Sequence, residues 1–264
     1  MTVTTGNYEL IKIAQDGFVA TVTIDRPDAL NALNKQIIAE LQDWTRSVWY
    51  DDTIRVIIIT GAGKAFISGA DIGELVELGA ITGARKSTVG QHLMKSLENI
   101  PKVVIAAING FAFGGGLELA LACDIRVASE KARMGLPEVK LGIIPGYGGT
   151  QRLARLIGAG RAKQMIFTGE FYTADQCKEF GLLQEVWAPD EFMAKTKELA
   201  ELIASRGPLA VAAAKECINR GLDMPLSNGN DFEKITFGNI SATVDMHEGL
   251  TAFLEKRDPN FKGE

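Results

Sequence analysis

Residues 111–124 read FAFGGGLELALACD. Three consecutive glycines run into a leucine- and alanine-rich segment that carries one charge, Glu118, on its first turn. A glycine inside a helix costs about 1 kcal/mol relative to alanine. Three of them at a helix start therefore call for a reason: a sharp turn, close helix–strand packing, or bare backbone that another molecule approaches. Glu118, set among Leu117, Leu119 and Leu121, raises the same question. It reads either as the polar position of a half-exposed helix or as a carboxylate held in dry surroundings.

Outward from this stretch, KVVIAAI (102–108) and IRVIIIT (54–60) are continuous, largely β-branched runs, the pattern of strands buried on both faces. DIRVAS (124–129) reads as a third strand. Helical stretches between them, such as NKQIIAELQDWTRSVW from Asn34 with apolar residues three and four apart, imply βα crossovers and a largely parallel sheet. Residues 8–24 alternate apolar and polar on both sides of Asp16-Gly17, a hairpin signal. After about residue 190 only helical patterns follow. The chain thus divides into an α/β core over 1–195 and a helical region over 196–264. Gly79–Gly90 (GAITGARKSTVG), rich in small and polar residues, reads as a mobile loop.

The chain has 264 residues, enough for a full core, and its 46% hydrophobic and 23% charged residues fit a globular protein. A formal net charge of −5 argues against general nucleic-acid binding, which needs a basic face. Cys123, Cys177 and Cys217 are far apart and form no metal-binding pair, and two histidines leave little material for a zinc site or a histidine triad. MTVTTGNYELIK has no secretory pattern. The most membrane-like window, 103–123, holds Asn109, Glu118 and four glycines, a poor composition for a span. A cytoplasmic protein without metal, membrane or nucleic-acid partner is the expectation.

Familiar nucleotide and hydrolase signatures fail. TGAGKAF does not complete G-x-x-x-x-G-K-[ST], neither GAGKAF nor GYGGTQ completes G-x-G-x-x-G, and G-x-S-x-G is absent. A different constellation remains. KAFISGADI (64–72) and NGFAFGGGLE (109–118) each follow a buried strand and turn through glycine. Such turns leave backbone N–H groups unpaired at the C-terminal edge of a parallel sheet, where they can hold an oxygen that becomes negative in a transition state. LPEVKLGIIPGYGGTQRL from Leu136 adds a second carboxylate, Glu138.

Together, KAFISGADI, PKVVIAAINGFAFGGGLELALACDI and LPEVKLGIIPGYGGTQRL resemble the crotonase, or enoyl-CoA hydratase, superfamily. The likeness runs from RPDALNAL (26–33) to AFLEKRDPNF (252–261). It implies a spiral fold of repeated ββα units with a C-terminal helical trimerisation region, trimers pairing into hexamers. It implies an acyl-CoA thioester as substrate, with no metal or further cofactor, and a thioester oxygen bound by the N–H groups of Ala70 and Gly115. Glu118 and Glu138 match both glutamates of the family's hydratases. Their implied roles are activation of water by Glu118 and protonation of the α-carbon by Glu138. Ser68, Gly69, Asp71, Ile72, Gly114 and Tyr147 would be further substrate or CoA contacts, with Arg26, Ala29 and Leu30 in the CoA pocket. Phe253 and Lys256 would reach CoA from a neighbouring subunit. Asp71 reads as a helix cap, and Tyr147 as either an acyl-pocket wall or a structural residue.

One departure stands out: many hydratases carry lysine after ADI, where this chain has Gly73, so a phosphate contact is missing or supplied elsewhere. The reaction expected is addition of water to a short trans-2-enoyl-CoA. The alternatives are a Δ3,Δ2-enoyl-CoA isomerase, a branched-chain hydratase, or, from another class, an RNA-binding relative.

Overall fold

The computed structural model describes residues 8–264; the reading of residues 1–7 as free of a leader lies outside them. β1 (Ile11–Asp16) and β2 (Val19–Ile24) form the expected hairpin, paired from Ile11 with Ile24 to Asp16 with Val19. The turn is one residue later than the Asp-Gly reading places it. Gly17 and Phe18 are its two central residues, and only Gly17 has a positive φ, +55°.

The rest of the core repeats one pattern. β3 (Val56–Gly61), β4 (Ala65–Ile67) and α2 (Ala80–Asn99) make the first unit, with α1 (Lys35–Ser47) preceding it. β5 (Val103–Ile108), β6 (Phe111–Phe113) and α3 (Gly115–Ala122) make the second. β7 (Ile125–Ser129) and β8 (Arg133–Gly135), with α4 (Gly149–Ile157) and α5 (Ala159–Thr168), make the third. In each unit the first strand joins one sheet and the second strand joins another. The large sheet is ordered β1-β2-β3-β5-β7-β10, where β10 is Glu185–Trp187. The small one is β4-β6-β8-β9, where β9 is Tyr172–Thr173. α6 (Ala174–Glu179) links the last two strands. All pairs from β2 to β10 in the large sheet are parallel, as are β4–β6 and β6–β8. This is the crotonase-type spiral expected from the resemblance.

The β-branched run in β3 explains why the large sheet sits in the middle. Ile57 and Ile59 face a core shared with α1 and α2, through residues such as Ile37, Leu41, Leu93 and Leu97. Val56 and Ile58 face the opposite side, where Phe192, Ala200 and Ala204 of α7 (Phe192–Ala204) cover them. α7 therefore packs on the sheet, and position 195 lies inside it. Beyond come α8 (Pro208–Gly221), α9 (Leu226–Ile240) and α10 (Val244–Glu255). Lys215 of α8 ties that region down by donating to the Leu97 and Lys102 carbonyls and to Asp124.

Two further expectations need correction. The segment Gly79–Gly90 is not a loop but the first half of α2; its small residues let the helix lie close to a neighbouring ring, as described below. NGFAFGGG does not pass straight from β5 into a helix, because β6 intervenes in the second sheet. α4 and α5 were not anticipated at all.

Candidate active site

The ends of β4 and β6 place two amides side by side. Leu33 N–H donates to the Gly69 carbonyl, and Asp71 N–H donates to the Leu33 carbonyl. These two bonds bracket Ala70 and turn its own N–H the other way, toward the cavity it lines. Gly115 is the first residue of α3, so its N–H has no partner within the helix. A Cβ on Gly115 would stand 3.5 Å from the Ala70 nitrogen, which measures how near the two amides are. Neither N–H donates a hydrogen bond among the described residues.

The glycine triplet serves turn, amide and packing at once. Gly114 takes φ +49° and ψ −124°, a conformation closed to ordinary L-residues. A Cβ on Gly116 would overlap the Ile67 carbonyl oxygen of β4. The packing explanation of GGG and the bare-backbone explanation are therefore both realised, at different glycines.

Glu118 is 1% exposed, on the buried face of a helix that is buried all round. Its Oε1 accepts from the N–H of Tyr147 and from the N–H of Gly149, both at 2.7 Å. Gly149 is the first residue of α4, so the carboxylate caps that helix and is favoured by its dipole. Burial nevertheless dominates and pushes the carboxyl up to about 6, against the pull of these amides and of Arg152.

Glu138 opens a 3-10 turn, residues 138–141, and is 9% exposed. Its Oε2 is buried without a partner among the described residues. Burial, reinforced by the negative charge of Glu118, pushes it up to about 7. The two carboxyls thus differ in kind. One is tied by two amides and leans toward the ionised form, while the other has little to stabilise a charge and leans toward the acid.

All four groups line one cavity of about 1110 Å³. Arg26 and Asp71 stand at it, joined by an ion pair of 2.8 Å that holds the Asp71 carboxyl below its ordinary range. Asp71 also accepts from Gly73 N–H and so caps the 3-10 turn at Ile72–Glu74, the capping role expected of it. Part of the remaining wall is apolar, with Leu75, Leu78 and Ile144 among its residues, and part is polar, with Lys86, Ser87 and Gln91. Among the described residues no group of three or more His, Cys, Asp or Glu is placed to hold a metal, and no helix is long and apolar enough to cross a membrane.

A family model described as enoyl-CoA hydratase/isomerase matches residues 14–264. The chain belongs to the enoyl-CoA hydratase/isomerase family. It is 46% identical to a short-chain-enoyl-CoA hydratase of Clostridium acetobutylicum, over 93% of this chain and 94% of that one. It is 44% identical to a crotonyl-CoA hydratase of Syntrophomonas wolfei, over 96% and 98%. An enoyl-CoA hydratase structure from Bacillus anthracis superposes with a TM-score of 0.94 at 43% identity, covering 97% of this chain and all of that one.

In this family member the cavity gathers Arg26, Ala29, Ser68, Gly69, Asp71, Ile72, Gly114 and Tyr147 with the amide pair and both glutamates. Leu30 does not line it. Leu30 takes φ +48° and is largely solvent-facing, while its carbonyl accepts from Ser68 N–H. Phe253, 81% exposed, and Lys256, just past α10, do not line it either. Sequence reasoning places a pocket wall near Ile72–Gly90 but names none of the α2 residues that form it. Gly83, Lys86, Ser87 and Gln91 recur at helical spacing on that wall, a signal hidden by reading the segment as a loop. Lys86 pairs with Glu74 at 2.6 Å.

Proposed function

We infer that the chain is an enoyl-CoA hydratase that adds water reversibly across the Cα=Cβ bond of a short trans-2-enoyl-CoA. The observation that carries this reading is the pair of buried, unlike carboxyls lining one cavity with two free backbone amides. The names of the Clostridium and Syntrophomonas relatives support the four-carbon end of the substrate range.

The thioester oxygen sits between the Ala70 and Gly115 N–H groups, which strengthen as negative charge develops on it. Glu118, anchored through Oε1, uses its other oxygen to take a proton from water as the water oxygen bonds to Cβ. Electrons move onto the thioester oxygen as an enolate. Collapse of that enolate takes a proton at Cα from Glu138. The product, a 3-hydroxyacyl-CoA, carries water's hydroxyl at Cβ and the Glu138 proton at Cα, and the proton left on Glu118 is returned to Glu138 to reset the pair.

In this reading Arg26 and Ala29, which line the cavity, take the CoA end, and Leu30, which lies outside it, does not. Many hydratases carry lysine where this chain has Gly73; here Lys86, paired with Glu74, brings a cation to the α2 side of the cavity. The large apolar surface of α8–α10, where Phe237 is 73% and Leu254 80% exposed, fits a homotrimer and then a hexamer. In that assembly Phe253 and Lys256 reach a neighbour's CoA, and α8–α10, beyond the helix that covers the core sheet, serve as the oligomerisation region. That activity fits a cytoplasmic enzyme of fatty-acid oxidation or of butyrate-type acyl-CoA metabolism.

The test is loss of enoyl-thioester absorbance on adding the enzyme to crotonyl-CoA. Glu118→Gln and Glu138→Gln should each lower kcat by about 100-fold or more while remaining folded. A folded wild type that leaves crotonyl-CoA unchanged sinks the reading.

A further inference from the structure

Glu118 takes its position from Tyr147 and Gly149, so whatever fixes that short segment fixes the carboxylate. The Tyr147 carbonyl accepts from Arg152 Nη1 at 2.9 Å. The same guanidinium forks onto Glu98, Nε to Oε1 at 2.6 Å and Nη2 to Oε2 at 2.8 Å. Glu98 lies in the last turn of α2, and its carbonyl accepts from Asn219 of α8 at 3.0 Å. α2 also grips the preceding residue: Ser87 Oγ and Gln91 Nε2 both donate to the Gly146 carbonyl, at 2.5 and 3.1 Å. Between these grips the Tyr147 ring fills the space left by Gly90, where a Cβ would overlap it. One helix therefore holds the peptide whose amides seat Glu118.

We propose that Arg152, locked by Glu98, is a positioning residue for Glu118, fixing the seat of its carboxylate and supplying the positive charge that bears on it. The argument rests on the assignment of Glu118 as the group that activates water. Arginine suits the place because a planar fork satisfies both Glu98 oxygens and still has a donor for the Tyr147 carbonyl, which a lysine ammonium cannot do in the same geometry. The ion pair is half-buried, with side chains 19% and 33% exposed, so its field is screened less than that of a surface pair.

The charged and titratable groups around Glu118 are few. Arg152 faces it from α4 and favours its ionised form. Glu138 faces it from the 3-10 turn, each carboxylate opposing the charge of the other. The Tyr147 phenol, pushed up to about 12 by burial, is neutral throughout the working range. From α2, Glu98 acts on Glu118 only by neutralising Arg152 in part.

The experiment uses full-length wild type, Arg152→Gln, Arg152→Lys and Glu98→Gln. Hydration of crotonyl-CoA is followed from pH 5 to 9, with melting temperatures alongside. Arg152→Gln should lower kcat about 10- to 100-fold with KM within about threefold, the scale expected for a misplaced catalytic group. It should also move the acid limb of kcat upward by about half a pH unit or more, because the carboxylate has lost its cation. Arg152→Lys should return the limb but only part of kcat. Glu98→Gln should move the limb the other way, since Arg152 is then less neutralised.

An acid limb that stays fixed in all three variants while kcat falls only in step with melting temperature overturns the proposal. So does an Arg152→Gln enzyme indistinguishable from wild type. If Arg152→Gln does not fold, the limb positions of Glu98→Gln and Arg152→Lys decide by the same signs. If folded wild type fails to hydrate crotonyl-CoA, the hydratase reading falls on its own. The clamp is then judged by the ¹³C carboxyl titration of Glu118 in wild type and in Glu98→Gln: a lower midpoint in the variant supports it, and equal midpoints refute it.

Discussion

Gly114 leaves the space that Glu138 occupies: a Cβ on Gly114 would stand 2.9 Å from Glu138 Oε1. The first glycine of the triplet thus provides room for a carboxyl 24 residues further along the chain, besides turning β6 into α3. Gly114→Ala should displace Glu138 and also strain the backbone by about 1–3 kcal/mol, given φ +49°. The expected result is a melting temperature lowered by several degrees and a kcat reduced at least about tenfold, beyond what partial unfolding explains. Steady-state hydration rates compared with thermal melts would check it, and an unaltered kcat would contradict it.

Carboxyls held at about 6 and about 7 predict a narrow pH optimum. Turnover should fall at acid pH as Glu118 takes up a proton, and at alkaline pH as Glu138 loses one. Because the two groups interact, the limbs belong to the pair. A kcat profile flat from pH 5 to 9 would be incompatible with the assigned roles.

The same burial weakens the fold at neutral pH. Glu138 binds its proton more tightly in the folded chain, at about 7 against an ordinary 4.5. Its contribution to stability is therefore complete below about pH 4.5 and is lost as pH rises through about 7. Glu138→Gln, neutral at every pH, should be more stable than wild type at pH 8, by on the order of 3 kcal/mol at most, and similar to it near pH 4.5. Denaturant unfolding at the two pH values measures the difference. A variant less stable than wild type at pH 8 would show that the side chain stabilises the fold in some other way.

An apolar surface as open as that of α8–α10 should not stay wet. Phe237→Lys combined with Leu254→Lys should break up the assembly proposed above without unfolding the core, since both side chains are exposed. Light scattering after size exclusion gives the mass directly. An unchanged mass would place the interface elsewhere.

How much of this was legible beforehand depended on length and on locality. β3 and β5 announced themselves as continuous runs of small and β-branched apolar residues, all of them buried. β4, β6 and β8, three residues each, carry no period at all, so the second sheet was invisible and the amides seemed to follow the large strands directly. α2 was misread because Thr, Gly and Ser are poor helix formers. Tertiary contacts of Leu93, Met94 and Leu97 hold that helix, with the seat for Tyr147 on its inner side. Glu118 and Glu138 were legible through motifs. Glu98 and Arg152, 54 residues apart, share no local pattern, and only the folded chain brings them together.

The division into two sheets also bears on what a protein engineer could change. The large sheet supplies most of the buried aliphatic surface, whereas the amide pair is set by β4, β6 and the start of α3 in the small one. Cavity filling or consensus changes between β3, β5 and α7 can raise heat tolerance with the reactive edge left as it is. The small sheet has no such slack, because its strands are three residues long and Gly116 sits against the backbone of Ile67. Heat tolerance can thus be sought in the layer between β3, β5 and α7, whereas changes at Gly114 or Glu138 alter stability and turnover together.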